Sequence, residues 1–201
     1  MIVTKERRCL DYKLAMAMAN SGVVRMVQPY TDASRTSPVS GLMNANLARY
    51  YEVEYVMQSL TGPGRYHNEF IIGIDLNSPD YPQELPPCRV LSVPRPWVPR
   101  VAQNSTGIIC LGQKGQFDSR QQLTLAHLIL HIARLLNIDE PPPTDGGYCP
   151  EATVYWRQEL DFQPITKHLN YPALPMHLLY PEIVTGPPPK PMFRPLGRRQ
   201  A

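Results

Sequence analysis

The sequence predicts an α+β fold: an N-terminal helix, a four-stranded antiparallel meander and C-terminal helices. Three observations carry this. Short runs with strand character follow one another between residues 23 and 93, separated by proline- and glycine-rich turns. A helical stretch of good helix formers precedes them. A strong apolar stripe at helical spacing follows them, over Leu123 to Leu136.

The first helix is expected from Lys5 to Asn20. Thr4 is placed to cap it, and Ser21-Gly22 ends it, because glycine readily takes the left-handed conformation. Leu10, Leu14, Ala17 and Met18 lie at helical spacing and are expected to face the core. Val23 to Gln28 reads as a strand. Tyr30 to Asn46 is polar and turn-rich and reads as a surface loop. Arg49 to Leu60 alternates, with Tyr51, Val53, Tyr55 and Met57 on one face and Glu52, Glu54 and Gln58 on the other. Gly62-Pro63-Gly64 turns the chain into a strand over Glu69 to Leu76, and Arg89 to Val93 is the last member of the meander. Pro79 to Pro87 and Pro94 to Pro99 are not central strands, since proline lacks the N–H a ladder needs. Trp97, between prolines, is expected over the edge of the core.

In the helix over Leu123 to Leu136, the stripe is Leu125, Leu128, Ile129, Ile132, Leu135 and Leu136. Asp118 or Ser119 is its expected cap, and Asp139 through Pro143 stops it. Pro150-Glu151 opens a further helix to about Asp161. These elements make one globular domain over 1–163. A proline-rich extension follows over 164–201. Its apolar Tyr171, Leu174, Met176, Leu178, Leu179 and Tyr180 are expected to pack back on the domain, and 185–201 to be loose.

The 201 residues, 43% of them hydrophobic, suffice for one sizeable core. A net charge of +3 is too small to argue for nucleic acid. Cys9, Cys88, Cys110 and Cys149 form no CxxC pair, which argues against structural zinc or a disulfide scaffold. His127 and His131 stand at i, i+4 without an HExxH pattern or a third ligand, so neither metal nor cofactor is expected. No apolar run approaches a membrane span, and charges at Lys5, Glu6, Arg7 and Arg8 interrupt any signal-peptide pattern. A reducing cytoplasm is the expected location, where a free thiol is chemically plausible.

One cysteine stands apart. Cys110 ends the stiff run Gly107-Ile108-Ile109-Cys110, and Leu111 follows it. Before it come the strand over Glu69 to Leu76, the turn Asp80-Tyr81-Pro82, the pair Pro86-Pro87 and a short strand. After it come the long helix and Pro150-Glu151-Ala152. This order over 49–158, with the pattern Gly-x-Ile-Cys-Leu, resembles the ubiquitin-conjugating enzymes. The resemblance implies their fold. It also implies that Cys110 takes a ubiquitin-like modifier from an activating enzyme as a thioester and passes it to an amine, usually a lysine, on a target protein. The partners implied are the modifier, the activating enzyme and the target.

The resemblance carries further expectations. The basic end of the first helix, Lys5, Arg7 and Arg8, corresponds to the docking surface for the activating enzyme; a solvated face is the plain alternative. His127, Leu130 and Arg134 correspond to the outer helix face that grips the thioester-linked modifier, with Leu130 exposed among polar neighbours. Asp139, Glu140 and Asp145 lie in the loop whose acids assist the incoming lysine. The family's His-Pro-Asn triplet ends eight residues before the cysteine, where this chain has Arg100-Val101-Ala102. Asn104 or backbone amides are expected to supply the missing donor. The departure fits a divergent branch of a prokaryotic system whose modifier is not ubiquitin itself. Two rivals stand beside this reading: a catalytically inactive module that only binds the modifier, and an unrelated cysteine hydrolase using a histidine such as His127.

Overall fold

The first helix, α1 (Lys5–Met18), starts where the Thr4 side chain accepts a hydrogen bond from the Arg7 amide at 3.2 Å. Its buried residues are Asp11, Tyr12, Leu14, Ala15 and Met18, and Asp11, Leu14, Ala15 and Met18 form an i, i+3, i+4, i+7 set. Leu10 is half-buried and Ala17 exposed, so the face is rotated from the expected one. A charged residue on the core side hid that rotation. Asp11 is buried because its carboxylate accepts from Arg7 Nε at 2.9 Å and from the Leu125 amide at 3.3 Å. α1 also stops sooner than Asn20. Asn20 itself takes positive φ, ahead of Gly22.

The computed structural model describes residues 4–77, 81, 84–112, 124–139 and 147–179. Within them, β1 (Val24–Tyr30), β2 (Tyr50–Gly62), β3 (Arg65–Asp75) and β4 (Cys88–Val90) form one sheet in the order β1-β2-β3-β4. Every neighbouring pair is antiparallel. The fold is therefore α+β, with the N-terminal helix, the four-stranded meander and the C-terminal helices of the sequence reading. Tyr51, Val53, Tyr55 and Met57 of β2 are the buried face, as the alternation requires. The loop over 30–46 runs into a 3-10 turn at Leu42–Leu47 that composition concealed. β3 begins at Arg65 instead of Glu69. Its first residues are mostly exposed and carry no alternation, and the tight Pro63-Gly64 hairpin recruits them. β4 ends at Val90 instead of Val93, because the Ser92 hydroxyl accepts from the Ile71 amide in place of the backbone.

α2 (Leu125–Leu136) crosses the inner face of the sheet. All six residues of its expected stripe are buried. Each such leucine or isoleucine contributes about 2 kcal/mol of burial. Two polar groups of β2 satisfy the contact: the Tyr55 hydroxyl donates to the Ile129 carbonyl at 2.9 Å, and that of Ser59 to Leu136 at 2.7 Å. The cap of α2 is Thr124, whose side chain accepts from the His127 amide. The expected caps Asp118 and Ser119 lie outside the described residues. The helix stops before Asp139: Asn137 is its C-cap and Ile138 has φ of 61°.

α3 (Pro150–Glu159) follows, and Trp97 lies edge-on to its Tyr155 at 5.4 Å between ring centroids. Residues 164–179 then return to the core, ending in the short α4 (Met176–Leu179). Ile165, Leu169, Tyr171, Leu174, Leu178 and Leu179 all pack against it. The expectation for 185–201 lies outside the described residues. Among the described residues no helix is long and apolar enough to cross a membrane.

Candidate active site

Cys110 sits on an arm clamped from both sides. On one side the Val90 amide donates to the Gly107 carbonyl at 2.8 Å, and the Ile109 amide to Cys88 at 2.9 Å. On the other, the Cys110 amide donates to the Arg100 carbonyl at 2.7 Å, and the Ala102 amide to Ile108 at 2.9 Å. Alternation then sets the directions of the side chains. Ile109 and Leu111 are buried, while Ile108 and Cys110 are half-buried on the opposite face. The arm needs Gly107. Its φ is 59°, and a Cβ there would meet the Val90 carbonyl oxygen at 2.8 Å. The glycine of the motif thus has a local physical reason.

The other three cysteines have different surroundings. Cys88 is fully buried in β4, and burial pushes its thiol well up. Cys149 is the buried N-cap residue of α3; burial raises its thiol too, and Glu151 beside it adds to the shift. Cys9 lies in α1, packed against the core. All four are free thiols.

Among the described residues, a side chain in contact with the Cys110 sulfur is one that motif reading passed over. Arg100 Nη1 lies 3.9 Å from Sγ, within reach of an N–H···S hydrogen bond, and Arg100 is only 6% exposed. Arg100 opens the segment aligned with the missing triplet, so the signal was present as a departure. The antiparallel pairing that brings it alongside Cys110 is not local and was not legible.

Asn104 takes another part. Its carboxamide oxygen accepts from the Thr106 amide at 3.0 Å and from the Thr106 hydroxyl. Its carbonyl accepts from Arg95 Nη1 at 2.7 Å. The residue shapes the turn that closes the arm, and none of these contacts is to Cys110.

Behind the arm stands α2. His131 Nε2–H donates to the Leu111 carbonyl at 2.8 Å and ties the helix to the residue after Cys110. His127 Nδ1 pairs with the Thr124 hydroxyl at 2.7 Å, and burial lowers the pKa of this ring. Leu130 is half-buried against the core instead of exposed. Arg134 is exposed, its guanidinium 5.8 Å from the centre of the Tyr171 ring. Asp139 accepts from Asn137 Nδ2 at 3.0 Å and from the Tyr171 hydroxyl. Glu140 and Asp145 lie outside the described residues. At the basic end of α1, Lys5 is exposed and Arg8 half-buried. Arg7 turns inward to Asp11 and donates to the Tyr81 hydroxyl at 3.0 Å. Its charge is committed to the core.

No family model matches the chain, and no curated protein matches it. The chain is similar to a solved ubiquitin-conjugating enzyme. That structure, described as a novel ubiquitin-conjugating enzyme, is 19% identical over 78% of this chain and 85% of its own, with a TM-score of 0.44.

Proposed function

We propose that the chain is an acyl carrier of the ubiquitin-conjugating type. It takes a ubiquitin-like modifier from an activating enzyme as a thioester on Cys110 and gives it to a lysine of a target. The observation that carries this reading is the presentation of Cys110: a half-buried thiol at an outward position of a doubly clamped arm. Acyl transfer needs such a thiol, fixed and reachable, because a misplaced nucleophile forfeits the benefit of alignment. The burial of Cys88 and Cys149 supports the choice among the cysteines. The element order around Cys110, resembling that of the ubiquitin-conjugating enzymes, supports the substrate class.

In this reading His127, Leu130 and Arg134 meet the carried modifier, Lys5 and Arg8 meet the activating enzyme, and Asp139 lies towards the incoming lysine. Asn104 acts as a positioning residue through its turn. Incubation with a candidate activating enzyme, its modifier and ATP tests the proposal. A thiol-labile adduct of modifier size is expected. Cys110→Ser should give an oxyester or no adduct, while serine at Cys9, Cys88 or Cys149 leaves charging intact in folded protein. A thiol-labile adduct that survives in Cys110→Ala would refute the assignment. An inactive, modifier-binding module would bind the modifier without forming the adduct.

A further inference from the structure

Thioester transfer passes through a tetrahedral intermediate whose oxygen carries a full negative charge. Among the described contacts of the Cys110 sulfur, the cationic donor is Arg100. We propose that Arg100 is a catalytic residue: its guanidinium binds the oxyanion of the intermediate and then the departing Cys110 thiolate. This rests on the reading of Cys110 as the acyl carrier.

Two features of the site argue for it. First, arginine stays ionised when buried, and its planar fork offers several donors. In the proposed arrangement the guanidinium that reaches the sulfur at 3.9 Å also donates to the carbonyl oxygen of an acyl group at Sγ, by a charge-assisted hydrogen bond of the usual length of about 2.8 Å. Second, the guanidinium is carried by a fixed backbone. The Arg100 carbonyl accepts from the Cys110 amide at 2.7 Å, and the preceding Pro99 carbonyl accepts from the Tyr148 and Cys149 amides at 2.9 and 3.1 Å. Donor and nucleophile are thus tied to each other through one backbone hydrogen bond. Such preorganisation is what makes an oxyanion donor effective.

The step balances as follows. The lysine nitrogen attacks the thioester carbonyl carbon and forms the C–N bond. The carbonyl electron pair moves to oxygen, beside the guanidinium. The nitrogen loses its proton to water. The oxyanion collapses, the C–S bond breaks, and its electron pair leaves with sulfur, which faces the same guanidinium until it is reprotonated from solvent.

The test uses the full chain and two acyl donors. One is the modifier, charged onto Cys110 and chased with free lysine in a single turnover. The other is a small N-acetylglycine thioester, whose acyl transfer to Cys110 is followed by intact mass. Arg100→Gln, folded by thermal melt, should slow both reactions about 100-fold, the size of losing one oxyanion donor. Asn104→Ala should slow them far less. Parental rates for Arg100→Gln in both assays would overturn the proposal. The small donor separates the two ideas: if no modifier ever charges the parent, acylation of parent against Arg100→Gln still decides the role of Arg100. Should Arg100→Gln fail to fold, Arg100→Lys keeps the cation and loses the fork. A rate about tenfold below the parent then supports the assignment, and a parental rate refutes it.

Discussion

Gly107 holds the Cys110 arm in a way a single substitution can expose. Two glycines share nearly the same φ: Gly107 at 59° and Gly64 at 65°. Alanine in the left-handed region costs about 1–2 kcal/mol at either position. Only at Gly107 does the new Cβ also strike backbone, the Val90 carbonyl oxygen at 2.8 Å, whereas at Gly64 it meets open space. Gly107→Ala should therefore lose more stability than Gly64→Ala and should also slow acylation of Cys110. Denaturant titration of the two variants checks the first point, and equal losses would mean that the arm yields freely. Gly107 and Cys110 were legible in the sequence because the constraints on them are local: a positive φ, a close approach and an alternation that turns the thiol outward. Arg100 was not legible as a partner. Its place beside the sulfur depends on pairing across the turn at 103–107, and spacing along the chain does not encode that pairing.

At the scale of elements, the two helices meet through a charged group that no periodicity would put in a core. α1 turns Asp11 towards α2, and the carboxylate accepts from the first amide of that helix, Leu125, and from Arg7. A helix N-terminus favours an anion, so Asp11 acts as a second cap beside Thr124. The sequence reading of α2 was sound because its buried stripe is wholly apolar. That of α1 slipped by part of a turn because polarity was taken to mean exposure. Asp11→Ala would take the carboxylate away from the half-buried Arg7 guanidinium and strip the α2 N-terminus of its anion. Breaking a buried pair in this way costs about 3–5 kcal/mol. Arg7→Ala and Asp11→Ala together should cost less than the sum of the two, since both single changes remove the same ion pair. A double-mutant cycle by chemical denaturation measures the coupling, and strict additivity would mean that the pair does not interact.

On the scale of the whole molecule, the chain closes by returning its own C-terminal segment to the core. Composition marked 164–201 as a proline-rich extension, and over the described residues 164–179 the regular structure is limited to the short α4. Proline richness does not prevent packing, because an extended chain can still bury alternate apolar side chains. Asn137 is a polar anchor of the return. Asn137, 1% exposed at the end of α2, donates through Nδ2 to the Thr166 carbonyl and the Tyr171 hydroxyl, each at 3.0 Å, and accepts at Oδ1 from the Thr166 amide at 2.8 Å. Its own carbonyl accepts from the Ile165 amide at 3.0 Å. At the far end, the Ser21 hydroxyl accepts from the Ala173 amide at 3.0 Å, and Gly22 leaves room for the Asn170 carbonyl, 2.4 Å from where a Cβ would sit. Asn137→Ala keeps the backbone bond but strands the Thr166 amide and carbonyl. Each unsatisfied buried group costs about 1–3 kcal/mol. The segment should then open locally before the domain unfolds, because most of its apolar side chains are only half-buried. Limited proteolysis should cut Asn137→Ala between 164 and 179 at protease levels that spare the parent, while the sheet and α2 stay resistant. Cleavage spread evenly over the chain would instead mean that Asn137 supports the whole core and that the return segment is no separate unit.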